Sequence, residues 1–247
     1  MHAHGHGIAC GRGALSSISI QIVTSLPAIN GRALGVSLRR VTSWPYNDRP
    51  AGFSLPDYGL SPEEREALTD RIWLSLVKGD DDIDYFVECY LEDLDDEETP
   101  LTEKQVSQAF KLALETRRSQ QAKWTSEETV TNLDRAFDDL EEAGILARQN
   151  FTCCGTCGAA EIGGERDESR EWRAYVFFHM QDTDRLIQTG SLYLAYGIFP
   201  PQDADDLPGF VTAEILPRLA RHGLRAEWDG DPRTRIHVHN ARWYIDL

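Results

Sequence analysis

From residue 61 onward, apolar side chains recur at helical spacing in four successive runs. In the first, Leu68, Ile72 and Leu76 share one face, and Gly79 supplies a left-handed stop. Its start is written in Ser61-Pro62-Glu63-Glu64. Serine suits the N-cap, proline the first helical position, and Glu64 reaches back to complete a capping box. In the second run Ile83, Phe86, Val87, Tyr90, Leu91 and Leu94 form a stripe at intervals of three and four. The third begins near Thr102 and uses Val106, Ala109, Phe110 and Ala113. The fourth is expected to run without a break from Thr125 or Ser126 through Val130, Leu133, Phe137 and Leu140 to Gly144.

After Gly144 the pattern changes. Residues 145–151 read as a short strand, and 172–178 and 191–196, rich in aromatic and β-favouring residues, read as two more. A helix is expected over 205–222, with Gly223 just past its end. Two final strands, 224–228 and 235–238, are joined by Asp229-Gly230-Asp231-Pro232. Helices first and strands later predict an α+β fold with an antiparallel or mixed sheet and one long covering helix. Residues 1–58 lack helical period and carry Pro27, Pro45, Pro50 and Pro56, with a weak alternation at Ile18, Ile20 and Ile22. They are expected to be a poorly ordered extension that docks locally through Trp44, Tyr46 and Phe53. Residues 59–247 are expected to form a single domain, with a helical part over 61–144 and a sheet part over 145–247.

Charge narrows the partners. Against 25 basic residues stand 41 acidic ones, a formal net charge of -16 over 247 residues. Such a surface repels phosphate backbones and anionic lipid, which disfavours nucleic acid and membrane surfaces. Asn132 to Leu146 could pass for a recognition helix and wing, but Asp134, Asp138, Asp139, Glu141 and Glu142 make it the wrong sign. A protein partner or a small ligand, cationic groups and divalent metals included, remains open. Mean hydropathy is -0.43, and no apolar run approaches the roughly 18 residues a membrane helix needs. Five cysteines, three of them within residues 153–157, make a poor disulfide framework for a secreted domain. The His- and Gly-rich amino terminus does not read as a secretory signal, so a cytoplasmic location is expected.

The densest chemistry is Cys153-Cys154-Gly155-Thr156-Cys157-Gly158. Three readings stand. The thiols could be small packing residues in a tight turn. They could bind zinc, with Cys153, Cys154, Cys157 and His179 as the four ligands of a structural site. Or Cys154 and Cys157 could be a redox dithiol, although the four helices before the motif are not the βαβ setting of a thioredoxin-like site. Cys153 separates the last two, because only the metal needs its thiolate. His179 with Asp182 could instead be a general base and its orienter. The plainer reading makes Asp182 the cap of a short helix over 183–188 and His179 a structural residue. No G-x-S-x-G turn supplies a nucleophile.

Other motifs carry less. Asp80, Asp82 and Asp84 match the start of a calcium loop, but Tyr85 and Leu91 stand where glycine and a bidentate glutamate belong. They are better explained as favourable charge at a helix start. His237-x-His239 puts two imidazoles on one face of a strand, as a metal pair or a solvated edge. His2, His4 and His6 read as an adventitious metal binder.

From about residue 60 onward, four groups of residues carry a family resemblance. They are Asn150-Phe151-Thr152-Cys153-Cys154-Gly155-Thr156-Cys157-Gly158, Tyr175-Val176-Phe177-Phe178-His179-Met180-Gln181-Asp182-Thr183, and Gly223-Leu224-Arg225-Ala226-Glu227-Trp228-Asp229-Gly230, together with Leu192-Tyr193-Leu194-Ala195-Tyr196-Gly197. In these the chain resembles a family of bacterial cytoplasmic proteins classed as a domain of unknown function. The resemblance implies no activity. With no complete catalytic constellation legible, the expected role is an intracellular interaction or regulatory protein with a structural cysteine turn. The alternative is an enzyme, either a redox enzyme using Cys154 and Cys157 or a hydrolase using His179 and Asp182.

Overall fold

The computed structural model describes residues 44–93, 101–168, 170–202 and 204–247. The expectations for Ile18, Ile20 and Ile22, for His2, His4 and His6, and for Leu94 lie outside these residues, as does most of the 1–58 extension.

Capping chemistry sets where the helices begin. Ser61 accepts a hydrogen bond from the Glu64 amide while the Glu64 carboxylate accepts one from Ser61, opening α1 (Pro62–Lys78), and Gly79 ends it in a left-handed conformation. Asp82 accepts from the Tyr85 amide and caps α2 (Ile83–Glu92). Thr102 and Gln105 form the box of α3 (Glu103–Gln121).

The expected unbroken fourth helix is two helices, α4 (Ser126–Thr129) and α5 (Asn132–Glu142). Thr131 turns to the β region and forms a second capping box with Asp134, which restarts the helix in a new direction. Val130, expected on the buried stripe, is exposed at the break.

Five strands form one mixed sheet in the order β1-β2-β3-β5-β4: β1 (Ile145–Arg148), β2 (Ala174–Phe177), β3 (Leu192–Ile198), β4 (Arg225–Glu227) and β5 (Ile236–His239). The first strand stops at Arg148 and not at Phe151, because Asn150 and Thr152 adopt positive φ and turn the chain away. β1 and β2 pair in parallel across a connection that holds α6 (Gly155–Glu161); the remaining pairs are antiparallel. The expected covering helix runs from Leu207 to Arg221 as α8 (Leu207–Phe210), a π-helical stretch (Val211–Ile215) and α9 (Leu216–Arg221). Pro217 has no N–H to give the preceding turn, and the helix widens just ahead of it.

Alternation along the strands separates two faces. Ile145, Ala147, Ala174, Val176, Leu192, Leu194, Ile236 and Val238 face a core shared with Trp73 and Val77 of α1, Leu133, Phe137 and Leu140 of α5, and Val211, Ile215 and Leu219 of the covering helix. Each large side chain sealed there contributes roughly 1.5–3 kcal/mol. On the opposite face Leu146 and Phe177 pack with Ile162, Trp172 and Phe199, beneath α6. A third cluster joins Leu68, Ile72 and Leu76 of α1 to Phe86 of α2 and Val106 and Phe110 of α3.

Residues 44–60 lie against this body. Tyr46 meets Trp124 edge-on with ring centroids 4.9 Å apart, and Phe53 packs on Trp73. Arg117, fully buried, donates to the Tyr46 carbonyl. Among the described residues, no helix is long and apolar enough to cross a membrane.

Candidate metal centre at the cysteine turn

The turn between β1 and α6 is built by the backbone. Phe151 N–H donates to the Phe178 carbonyl (2.8 Å) and Met180 N–H to the Thr152 carbonyl (3.1 Å), which tie the turn to the end of β2. Thr152, at positive φ, donates its hydroxyl to the Cys154 carbonyl (3.0 Å). Cys154 then takes the N-cap position of α6, and its Sγ accepts the Cys157 N–H at 3.5 Å. α6 can lie this close to the sheet because residue 158 is glycine. A Cβ there would sit 2.3 Å from Cε2 of the buried Phe177 ring.

This wrapping brings three sulfurs together. Cys157 Sγ lies 3.4 Å from Cys154 Sγ and 3.6 Å from Cys153 Sγ, and all three sulfurs fall within 4.8 Å of one another. All three are free thiols, at van der Waals and not bonding separation. Sulfurs sharing a tetrahedral zinc at about 2.3 Å stand about 3.8 Å apart, so the three need only small movements to share one ion. Their protons are unequal. The Cys157 N–H stabilises thiolate at Cys154 and lowers its pKa. Cys157 is pushed up to about 12, first by its side-chain hydrogen bonds with Cys154 and Cys153 and then by their charge. Ionisation is therefore favoured at Cys154 over Cys157, and a bound cation would relieve the cost of charging the others.

His179 does not join the three sulfurs. Its Nε2 is 3.1 Å from Asp182 Oδ2, and its Nδ1 is buried without a hydrogen-bond partner. Gly155 lies between: a Cβ there would be 3.5 Å from His179 Cδ2. His179 is the N-cap residue of α7 (Met180–Thr189), one turn earlier than the cap expected at Asp182. Asp182 is the third helical residue, its carboxylate accepting from the His179 amide at 3.4 Å. The same carboxylate is ion-paired to Arg235 at the foot of β5, which also donates to the Tyr193 carbonyl. Burial lowers the His179 pKa, with Asp182 opposing and Arg235 reinforcing the effect. Both side chains are buried, and the carboxylate is already committed to two partners.

Sequence reasoning passed over Arg235. It also passed over Glu227, which pairs directly with His237 across β4 and β5. The alternation Arg225-Ala226-Glu227 was the only local sign that Glu227 shares a face with the imidazoles. Glu227, His237 and His239 form a second group whose ligand atoms lie within 4.8 Å of one another.

A family model described as a domain of unknown function (DUF6891) matches residues 61–245. No curated protein and no solved structure matches the chain.

Proposed function

We propose that this chain, which belongs to the DUF6891 family, is an interaction or regulatory protein of the cell interior whose cysteine turn holds a zinc ion through Cys153, Cys154 and Cys157. The observation that carries the reading is the convergence of three free thiols at 3.4 and 3.6 Å from a common member. A thiolate set of this softness suits zinc. With His179 outside the cluster of three sulfurs, the fourth position is left to water or to a group from a partner. The acidic surface favours a basic protein partner or a cationic ligand over nucleic acid.

The redox reading has its own support in the 3.4 Å approach of Cys154 and Cys157 and in the lowered pKa of Cys154. A hydrolase built on His179 and Asp182 has less, because Arg235 and the α7 cap already occupy the carboxylate.

Metal analysis separates these readings. Full-length protein with His2, His4 and His6 changed to Asn should retain about one zinc per chain at the cysteine turn, and Cys153→Ser should release it. Retention of the same metal by Cys153→Ser, or rapid alkylation of Cys154 in protein that binds none, overturns the zinc reading; the second result establishes the dithiol.

A further inference from the structure

The half of the sheet that α6 does not cover carries a second constellation. β4 and β5 pair antiparallel with Glu227 opposite His237 and Arg225 opposite His239, so all four point to the face away from the main core. Tyr193 on β3 stands opposite His237 in the next register. Its ring lies on the imidazole with centroids 4.4 Å apart and planes inclined by 18°. The guanidinium groups of Arg185 and Arg235 sit over that tyrosine ring at 5.2 and 5.5 Å. His237 is therefore held flat from behind, while its own edge turns toward His239, whose ring centroid is 3.9 Å away.

What these imidazoles lack is informative. His237 Nε2 and His239 Nε2 are both sealed from solvent, and neither has a hydrogen-bond partner. Glu227 Oε2 approaches His239 Nε2 to 3.4 Å without the geometry of a hydrogen bond. Ligand atoms sharing one zinc at about 2.0–2.1 Å stand about 3.4 Å apart. The other carboxylate oxygen, Oε1, is 3.5 Å from Arg225 Nε, so the arginine steadies the carboxylate and leaves Oε2 to the histidines. Buried nitrogens without partners are costly, and a cation taken by two imidazoles and a carboxylate removes that cost.

We propose that Glu227, His237 and His239 form a binding site for a divalent transition ion, separate from the cysteine turn, which pins the edge strand β4 to β5. Two neutral nitrogens and one carboxylate are the donors that zinc, nickel and copper favour. Three protein ligands leave further positions to water, as at an open site. The half-exposed carboxylate of Glu227 (58 % of its side-chain surface) gives the ion a way in.

Cobalt(II) titration of the full-length chain, with His2, His4 and His6 changed to Asn, tests this, because the ion reports its ligands. Thiolate ligation gives intense near-ultraviolet charge transfer; imidazole and carboxylate ligation gives visible bands without it. Two classes of site are expected. His239→Gln, which keeps much of the side-chain volume, and His237→Ala should each abolish the class without charge transfer and leave the thiolate class unchanged. Glu227→Gln should weaken it by about tenfold or more. The thiolate class that survives these changes also shows that the variants are folded. Visible bands unchanged in both His239→Gln and Glu227→Gln, or a titration of the parent showing only the thiolate class, overturns the proposal. Loss of the thiolate class alone, in Cys153→Ser, bears on the cysteine turn and not on this site.

Discussion

The indole of Trp243 donates a hydrogen bond to the main-chain carbonyl of Val77, at 2.8 Å and across 166 residues of sequence. Val77 lies in the last turn of α1, where a carbonyl has no partner within the helix, and Trp243 belongs to the irregular chain after β5. The Trp243 ring also meets Phe178 edge-on at 6.1 Å, and its carbonyl accepts from Asn47 Nδ2 at 2.7 Å. One residue thus touches the helical part, the sheet part and the amino-terminal segment. Trp243→Phe should cost about 1–3 kcal/mol by leaving the buried carbonyl unpaired, and Trp243→Ala about 3–5 kcal/mol. If the two parts fold as one unit, calorimetry should show a single transition that both substitutions move as a whole. Two separable transitions, with only one of them shifted, would refute it.

Gly158 is the contact point between α6 and the sheet. With a Cβ 2.3 Å from Phe177 Cε2 and 2.7 Å from Cζ, Gly158→Ala cannot be accommodated by a ring that is itself fully buried. The substitution should destabilise by about 1–3 kcal/mol through overpacking. Because α6 carries Cys157, it should also weaken metal retention. Denaturant unfolding and metal analysis of the same preparation check both effects.

Asp80 gives a pH signature. Burial raises its pKa, with Lys78 opposing and Asp184 and Asp81 reinforcing the shift. Lys78 Nζ lies 4.0 Å from Asp80 and 3.1 Å from Asp184 of α7. The folded state holds the Asp80 proton more tightly than the unfolded state does. Its stabilising contribution is complete below the unfolded carboxylate pKa of about 3.9 and is lost as pH rises through the higher folded value. Asp80→Asn should therefore unfold at a higher temperature than the parent at pH 7, and the difference should close toward pH 4. An advantage that grows on acidification would reverse the assignment.

Arg117 is buried without an acidic partner among its described hydrogen bonds. Its guanidinium lies 5.5 Å from the Trp124 ring, 5.6 Å from Tyr244 and 5.9 Å from Trp73, and it donates to Tyr46 O and Gln120 Oε1. Burial lowers its pKa. The long side chain is a spacer among aromatic rings as much as a charge. Arg117→Met, which keeps the length, should fold with a smaller loss than Arg117→Ala, for which about 2–5 kcal/mol is expected. Thermal unfolding of the pair, with equal losses as the contrary result, distinguishes packing from charge.

The features the sequence determined by itself are those whose causes are local. Ser61, Pro62 and Glu64 lie within one helical turn, and they start α1 whatever surrounds it. The change of apolar period at Gly144, where positive φ ends α5, likewise separates helices from strands without reference to distant residues. The three cysteines are neighbours in sequence, so their convergence was legible too. Even a local signal can be masked: the Thr131–Asp134 box that splits α4 from α5 was hidden under an apolar stripe that runs straight through it. Tertiary structure alone decided which side chains meet across strands. The pairing of Asp182 with Arg235 spans 53 residues, and it gives a second charged partner to the carboxylate that sequence offered as an acid–base partner for His179. Glu227 meets His237 only because β4 and β5 pair in one register, and a shift of one residue would turn Glu227 to the opposite face. Hydrogen bonding along the chain selects the elements, but a site assembled from several strands exists only once the sheet has fixed its register.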